Sequence, residues 1–275
     1  MKNILVPVDF SATAKNSALY AASVARELGA NKLVLYNAYS MPLATEMSWA
    51  VLQTEELQKA SEEGLKAYKA ELEIVCGQDV SVETISDFGF LAERIDAVAH
   101  QADADLIVMG ITGGGKLEEV LMGSNTTHVV NHTTIPVLIV PSNAQWKDVE
   151  VVGWACDYKD VLKTTPATAI TNFIVALKAR LVVLHNNPDP KAFDPELFHN
   201  NVMVAEMFQR IKPEFEMVSY DDFLEATQSF VEKQKVDMLL VLPKKASWFE
   251  SLFKRSHTKL LAFHSSVPLL CLRAM

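Results

Sequence analysis

Apolar and polar residues fall into two kinds of block that take turns along the chain. Ile4–Val8, Lys32–Ala38, Leu106–Met109 and Ile135–Val140 are short apolar runs, the form expected of strands covered on both faces. Val80–Ser86 alternates instead, as a strand with one polar side does. Between them, Ala12–Leu28, Gln53–Val75 and Leu91–Gln101 carry apolar residues at helical spacing. Ser11-Ala-Thr13 is a natural helix start and Gly29 a natural stop. A further helix is predicted to open at Gly123-Ser124-Asn125-Thr126-Thr127, whose hydroxyls suit a cap. Strands and helices in this order predict a parallel sheet with helices on both faces and right-handed crossovers.

Asn143–Glu150 is polar and reads as a linker, after which the pattern starts again. Val151–Asp157 parallels Ile4–Asp9, each an apolar run ending in an acid, and Leu181–Asn187 parallels Leu33–Tyr39. Asp237–Leu242 matches Asp105–Gly110 at a shift of 132 residues, and His264-Ser-Ser-Val-Pro-Leu-Leu matches His132-Thr-Thr-Ile-Pro-Val-Leu at the same shift. From Asp9 to Asp157 the shift is 148, so the second copy is the shorter. The chain is an internal duplication, with expected domains at 1–142 and 151–275 joined by 143–150.

The 275 residues suit two domains of ordinary size, and 49% hydrophobic against 21% charged residues is enough for packed cores. A net charge of −9 and a pI near 5.3 argue against general binding to nucleic acid or acidic membranes. An anionic ligand must then be held by local N–H groups. Cys76, Cys156 and Cys271 lie far apart with no CxxC pair, which gives no metal or disulfide framework and suits a reducing compartment. No apolar run approaches the roughly 20 residues of a membrane span, and the N-terminus lacks the longer apolar stretch of a signal peptide. The expected location is cytoplasmic.

The chemistry concentrates in Asp105–Val140. Gly110, Gly113, Gly114 and Gly115 follow an apolar strand, and Gly123-Ser124 opens the next helix. Glycine backbone can approach a ligand closely, and two such turns at strand-to-helix junctions present N–H groups to an anion, above all a phosphate. The spacing Gly110-x2-Gly113-x9-Gly123-Ser124 resembles the nucleotide-binding signature of the universal stress protein (UspA) family. At the 132-residue shift Gly110, Gly113 and Gly123 become Leu242, Lys245 and Arg255, so the second copy keeps the scaffold and has lost the signature. It gains Lys244, Lys245, Lys254 and Arg255, which read as a solvated face or, as the alternative, as a charged site for some anion.

The resemblance covers the whole chain as two modules in tandem. It implies an α/β, Rossmann-like fold of the adenine nucleotide alpha hydrolase-like type, each module a five-stranded parallel sheet with helices on both faces. It also implies a stress-response protein binding ATP or AMP, with or without Mg²⁺, in its N-terminal half. Carried over by position, Asp9 contacts the adenosine part with Pro7 and Val8 beside it, Ala38 lies near the base, and Met109 and Gly110 continue the wall. Gly113, Gly123, Ser124 and Asn125 hold ribose and phosphates, although Asn125 stands where the family commonly has an apolar residue. Module pairing in the family suggests that Pro136–Val140 and Pro268–Leu272 pair within one chain as a pseudo-dimer, with a homodimer also open.

Other readings stay in view. Asp9 also suits a turn or helix cap. Gly110-Ile-Thr-Gly-Gly-Gly-Lys116 satisfies G-x4-G-K, but Leu117 replaces the Ser or Thr that holds Mg²⁺ in a P-loop. Val8-Asp-Phe-Ser-Ala-Thr lacks the phosphate loop of an adenylating enzyme. No general base is identifiable, so catalysis is limited to slow ATP hydrolysis, and an interaction scaffold that binds no nucleotide is the main rival. His128 and His132 have no companion carboxylate at ligand spacing and read as packing or capping residues rather than metal ligands.

Overall fold

The computed structural model describes residues 1–41, 50–111, 124–156, 158, 160–186, 195–221, 223–242 and 267–273, without the side chains of 50–53, 124, 127, 195–197, 223 and 224. These residues divide after Trp146 into two compact units.

The first unit runs β1 (Asn3–Pro7), α1 (Ala12–Glu27), β2 (Lys32–Tyr39), α2 (Ala50–Cys76), β3 (Ser81–Phe88), α3 (Leu91–Gln101), β4 (Leu106–Ile111), α4 (Ser124–His132) and β5 (Val137–Pro141). The strands pair in the order β3-β2-β1-β4-β5, all parallel. Helices α1 and α2 pack together on one face, α3 and α4 on the other. β1 is central for a physical reason: Ile4, Leu5 and Val6 have no exposed surface, and each such side chain removed from water stabilises by about 1.5–3 kcal/mol. Edge strand β3 keeps polar residues outward, the usual protection for an edge.

Local signals set the ends. Ser11 caps α1, its hydroxyl accepting from the Ala14 N–H. After Leu28 the chain turns through Gly29 at φ 61°, with Gly29 N–H to Arg26 O and Ala30 N–H to Ala25 O, the paired bonds of a Schellman stop. α2 starts three residues earlier than the sequence pattern suggests, and β5 starts at Val137, past Pro136, which has no N–H for the ladder. Part of the expected linker belongs to the first unit: Trp146 packs edge-on against Tyr20, and the Asn16 amide donates to Pro141 O and Ala144 O.

The second unit repeats the plan as β6 (Val151–Ala155), α5 (Val161–Thr164), α6 (Ala167–Leu177), β7 (Arg180–Asn186), α7 (Pro195–Met207), β8 (Glu214–Val218), α8 (Phe223–Gln234), β9 (Met238–Val241) and β10 (Leu269–Cys271), in the order β8-β7-β6-β9-β10. Duplication extends to single hydrogen bonds. The Asp105 carboxylate accepts from the Lys2 and Asn3 N–H groups, and Asp237, its counterpart, from Glu150 and Val151. One difference has an obvious cause. Where the first unit has the single helix α1, the second has α5 and α6, separated at Thr165-Pro166 with Thr165 extended, because a residue before proline avoids the helical region.

Candidate functional site

In the first unit the chain leaves β1 toward β2 and β3 on one side and continues through β4 and β5 on the other. Open α/β sheets bind ligands at such a reversal, outside the carboxyl ends of the strands. A cavity of about 210 Å³ lies there. Pro7, Val8 and Asp9 bound it at the end of β1, Tyr36 and Ala38 on β2, and Met109 and Gly110 on β4. Three helix starts complete the wall: Ser11, Thr13 and Ala14 at α1, Leu91 at α3, and Asn125 and Thr126 at α4.

The β1 corner is built tightly. Val8 N–H donates to Tyr36 O at 2.8 Å, and the buried Asn37 amide donates to Val8 O at 2.7 Å. Asp9 then accepts from the Ser11 N–H through Oδ1 at 3.0 Å, the turn that its sequence neighbours suggest. Asp9 is exposed and lines the cavity as well. Turn and ligand roles are therefore compatible in one side chain. Phe10 follows at φ 62°, a left-handed conformation that costs an L-residue about 1–2 kcal/mol. Its ring is held by α2: edge-on against Tyr68 at 5.5 Å, and over Gly64, where an added Cβ would lie 2.7 Å from Phe10 Cε1. Tyr68 also donates to Ser11 O at 3.4 Å.

Gly110 closes the opposite side by absence. A Cβ there would meet Thr13 Cγ2 and Thr13 O at 2.8 Å, so only glycine lets β4 approach the start of α1 this closely. Thr126 Oγ1 donates to Gly110 O at 3.5 Å and ties α4 to the same point. At the β2–β3 side the Tyr36 hydroxyl donates to Asp87 Oδ2 at 3.5 Å, and Arg94 grips Asp87 through Nε at 2.7 Å and Nη2 at 3.3 Å. Burial, and secondarily the Asp87 charge, pushes the Tyr36 phenol well above its ordinary pKa. It stays a neutral wall of the cavity at every physiological pH.

Of the residues expected from sequence, Pro7, Val8, Asp9, Ala38, Met109, Gly110 and Asn125 meet at this cavity. Ser124 begins α4, but its side chain is not described; Gly113 and Gly123 lie outside the described residues. Sequence reasoning missed Tyr36, Leu91 and Thr126. The signal for Tyr36 was available, since residues two apart on a strand share a face and Ala38 was already assigned there. Ser11 and Thr13 had been read only as helix-start residues.

The corresponding place in the second unit is built differently. Asn186 stands where Ala38 would be, and its amide binds the Tyr220 backbone at both ends: Nδ2 donates to Tyr220 O at 2.9 Å while Oδ1 accepts from Tyr220 N–H at 3.0 Å. Leu242 replaces Gly110 and is buried. Tyr158 replaces Phe10 with the same left-handed backbone, φ 55°, but is buried; its hydroxyl donates to Asn201 Oδ1 at 2.5 Å and its ring meets His185 edge-on. Burial drives its phenol far above the ordinary pKa. Asp157, Lys244, Lys245, Lys254 and Arg255 fall outside the described residues.

Comparison with known proteins bears on the same region. The profile of the universal stress protein family matches residues 1–141. A universal stress protein of Methanocaldococcus jannaschii is 34% identical over 142 residues, covering 50% of this chain and 81% of its own. Among solved structures, a universal stress protein from Archaeoglobus fulgidus superposes with a TM-score of 0.78 over 98% of both chains at 15% identity, a likeness of fold across both units.

Proposed function

This chain belongs to the universal stress protein family, and from that premise we propose that its first unit binds an adenine nucleotide in the cavity between β1, β2 and β4. The observation that carries the reading is the convergence of Asp9, Ala38, Gly110 and Asn125 on one opening at the strand reversal. Ala38 has the small side chain that a flat base can lie against. The Asp9 carboxylate, which lines the opening, serves as an acceptor for ribose hydroxyls. The α4 start at Ser124 and Asn125 points backbone N–H groups toward the phosphates, and the glycines at 113 and 123 join them on the strength of sequence spacing.

Among the described residues the cavity wall holds one carboxylate and no histidine or cysteine, so the chemistry we assign is binding, with ATP or AMP as ligand and Mg²⁺ accompanying a triphosphate. A bound nucleotide then acts by favouring one conformation of the first unit. The second unit, with Asn186 and Leu242 in the equivalent positions, serves as a scaffold. Calorimetric titration with ATP and Mg²⁺, and separately with AMP, tests this. One site per chain is expected, weakened at least about tenfold in Asp9→Asn, because hydrogen bonds to a charged partner contribute about 1.5–3 kcal/mol. No binding by the wild-type chain, or equal binding by the variant, sinks the assignment.

A further inference from the structure

The nine-residue helix α4 carries His128 and His132 one turn apart, on one face of the helix. Their rings are stacked, with centroids 4.0 Å apart and planes within 15° of parallel. His132 Nδ1 lies 2.9 Å from His128 O. A carbonyl only accepts, so this nitrogen must carry the proton, and His132 is fixed as the tautomer whose Nε2 lone pair is free. Metal-binding histidines are set up in the same way, with the far ring N–H donated to a backbone carbonyl. His132 is exposed and His128 half-buried, so both rings can be reached from solvent.

We propose that His128 and His132 form a two-histidine site for a divalent transition ion of the nickel, copper or zinc class. Imidazole nitrogen suits these ions, whereas magnesium and calcium prefer oxygen. The ion is bound by His132 Nε2 and one nitrogen of His128. His132 keeps its bond to His128 O, and the His128 ring turns about its broad final torsion to bring its nitrogen to the usual distance of about 2.0–2.1 Å. Among the described residues no group of three His, Cys, Asp or Glu surrounds a common point, so water fills the remaining positions. The described cysteines are all buried and do not compete at the surface. The sequence reading of these residues as packing or capping groups accounts for His132 Nδ1 but not for a second ring laid parallel beside it.

The test is titration of the full, tag-free chain with Ni²⁺ at pH 7.5, followed by calorimetry and by the shift in thermal midpoint. One ion per chain is expected. His128→Asn and His132→Asn should each weaken binding by more than the roughly tenfold that loss of a supporting partner costs, with helix content by circular dichroism unchanged. His199→Asn, on the exposed face of α7, should leave affinity unaltered. Failure of the wild-type chain to bind Ni²⁺, or binding that survives His132→Asn, overturns the proposal. His132 is exposed, so its replacement does not threaten the fold.

Discussion

The two units use one strand order and one set of anchoring aspartates, yet the described residues at their strand ends differ. Three side chains account for much of the difference. Ala38 and Gly110 withdraw from the opening, while Asn186 and Leu242 occupy the matching positions. Phe10 and Tyr158 share a strained backbone, but Phe10 stays 36% exposed against α2 while Tyr158 is 7% exposed and hydrogen-bonded to α7. Strain persists only where surroundings over-determine it. In the first unit it aims Asp9 at a cavity; in the second it has been absorbed into the core. A duplicated fold can thus keep its scaffold while a handful of side chains change what its strand ends present.

The largest effect should come from writing the second unit's residue into the first. Gly110→Leu puts a branched side chain against Thr13 O, where even a Cβ would stand at 2.8 Å. Nucleotide binding should vanish, and urea unfolding should show a loss of about 1–3 kcal/mol from overpacking. Retained affinity would mean that the close approach of β4 and α1 does not shape the ligand site. The reverse experiment is smaller. Asn186→Ala strips both partners from the Tyr220 backbone, which should destabilise the second unit by about 1–3 kcal/mol while leaving the nucleotide affinity of the chain as it was. A change in affinity would tie the second unit to binding.

Gly64→Ala sharpens the comparison from a distance. The new Cβ meets the far end of the Phe10 ring, which can move, so stability should change little. Displacing the ring loosens the turn that aims Asp9, and nucleotide affinity should drop several-fold. Phe10→Gly relieves the left-handed strain and also removes the ring. If Asp9 is aimed through Phe10, combining the two changes should cost less affinity than the sum of the single losses. Strict additivity in that cycle would show that α2 does not position Asp9.

Much of this was readable in advance because the physics was local. Buried parallel strands announce themselves as apolar runs, Ser11 and Gly29 as helix ends, and the duplication as a constant shift between Asp105 and Asp237. The wall residues at strand ends came instead from the family resemblance, carried over by position. What escaped depends on contacts between distant segments. Nothing in the neighbourhood of Gly64 says that Phe10 lies over it, and nothing near Asn186 says that its amide is spent on Tyr220. The break between α5 and α6 is legible in Pro166, since the residue before a proline avoids the helical region.

The finest discrimination uses the cysteines as reporters of each unit. Cys76 lies at the end of α2 and Cys271 in β10, both buried. Burial pushes both thiols above their ordinary pKa, so in the folded state at pH 8 even less thiolate is present than in a free cysteine, and alkylation must proceed through opened forms. A ligand that binds only the folded first unit stabilises it by the mass-action factor of one plus ligand concentration over Kd. Saturating ATP should therefore slow alkylation of Cys76 by up to that factor and slow Cys271 less. Individual peptides quantified by mass spectrometry read the two rates in one sample. Equal protection of Cys271 would mean that the ligand's stabilisation is not confined to the first unit, and the contrast between the two units' strand ends would lose its energetic meaning.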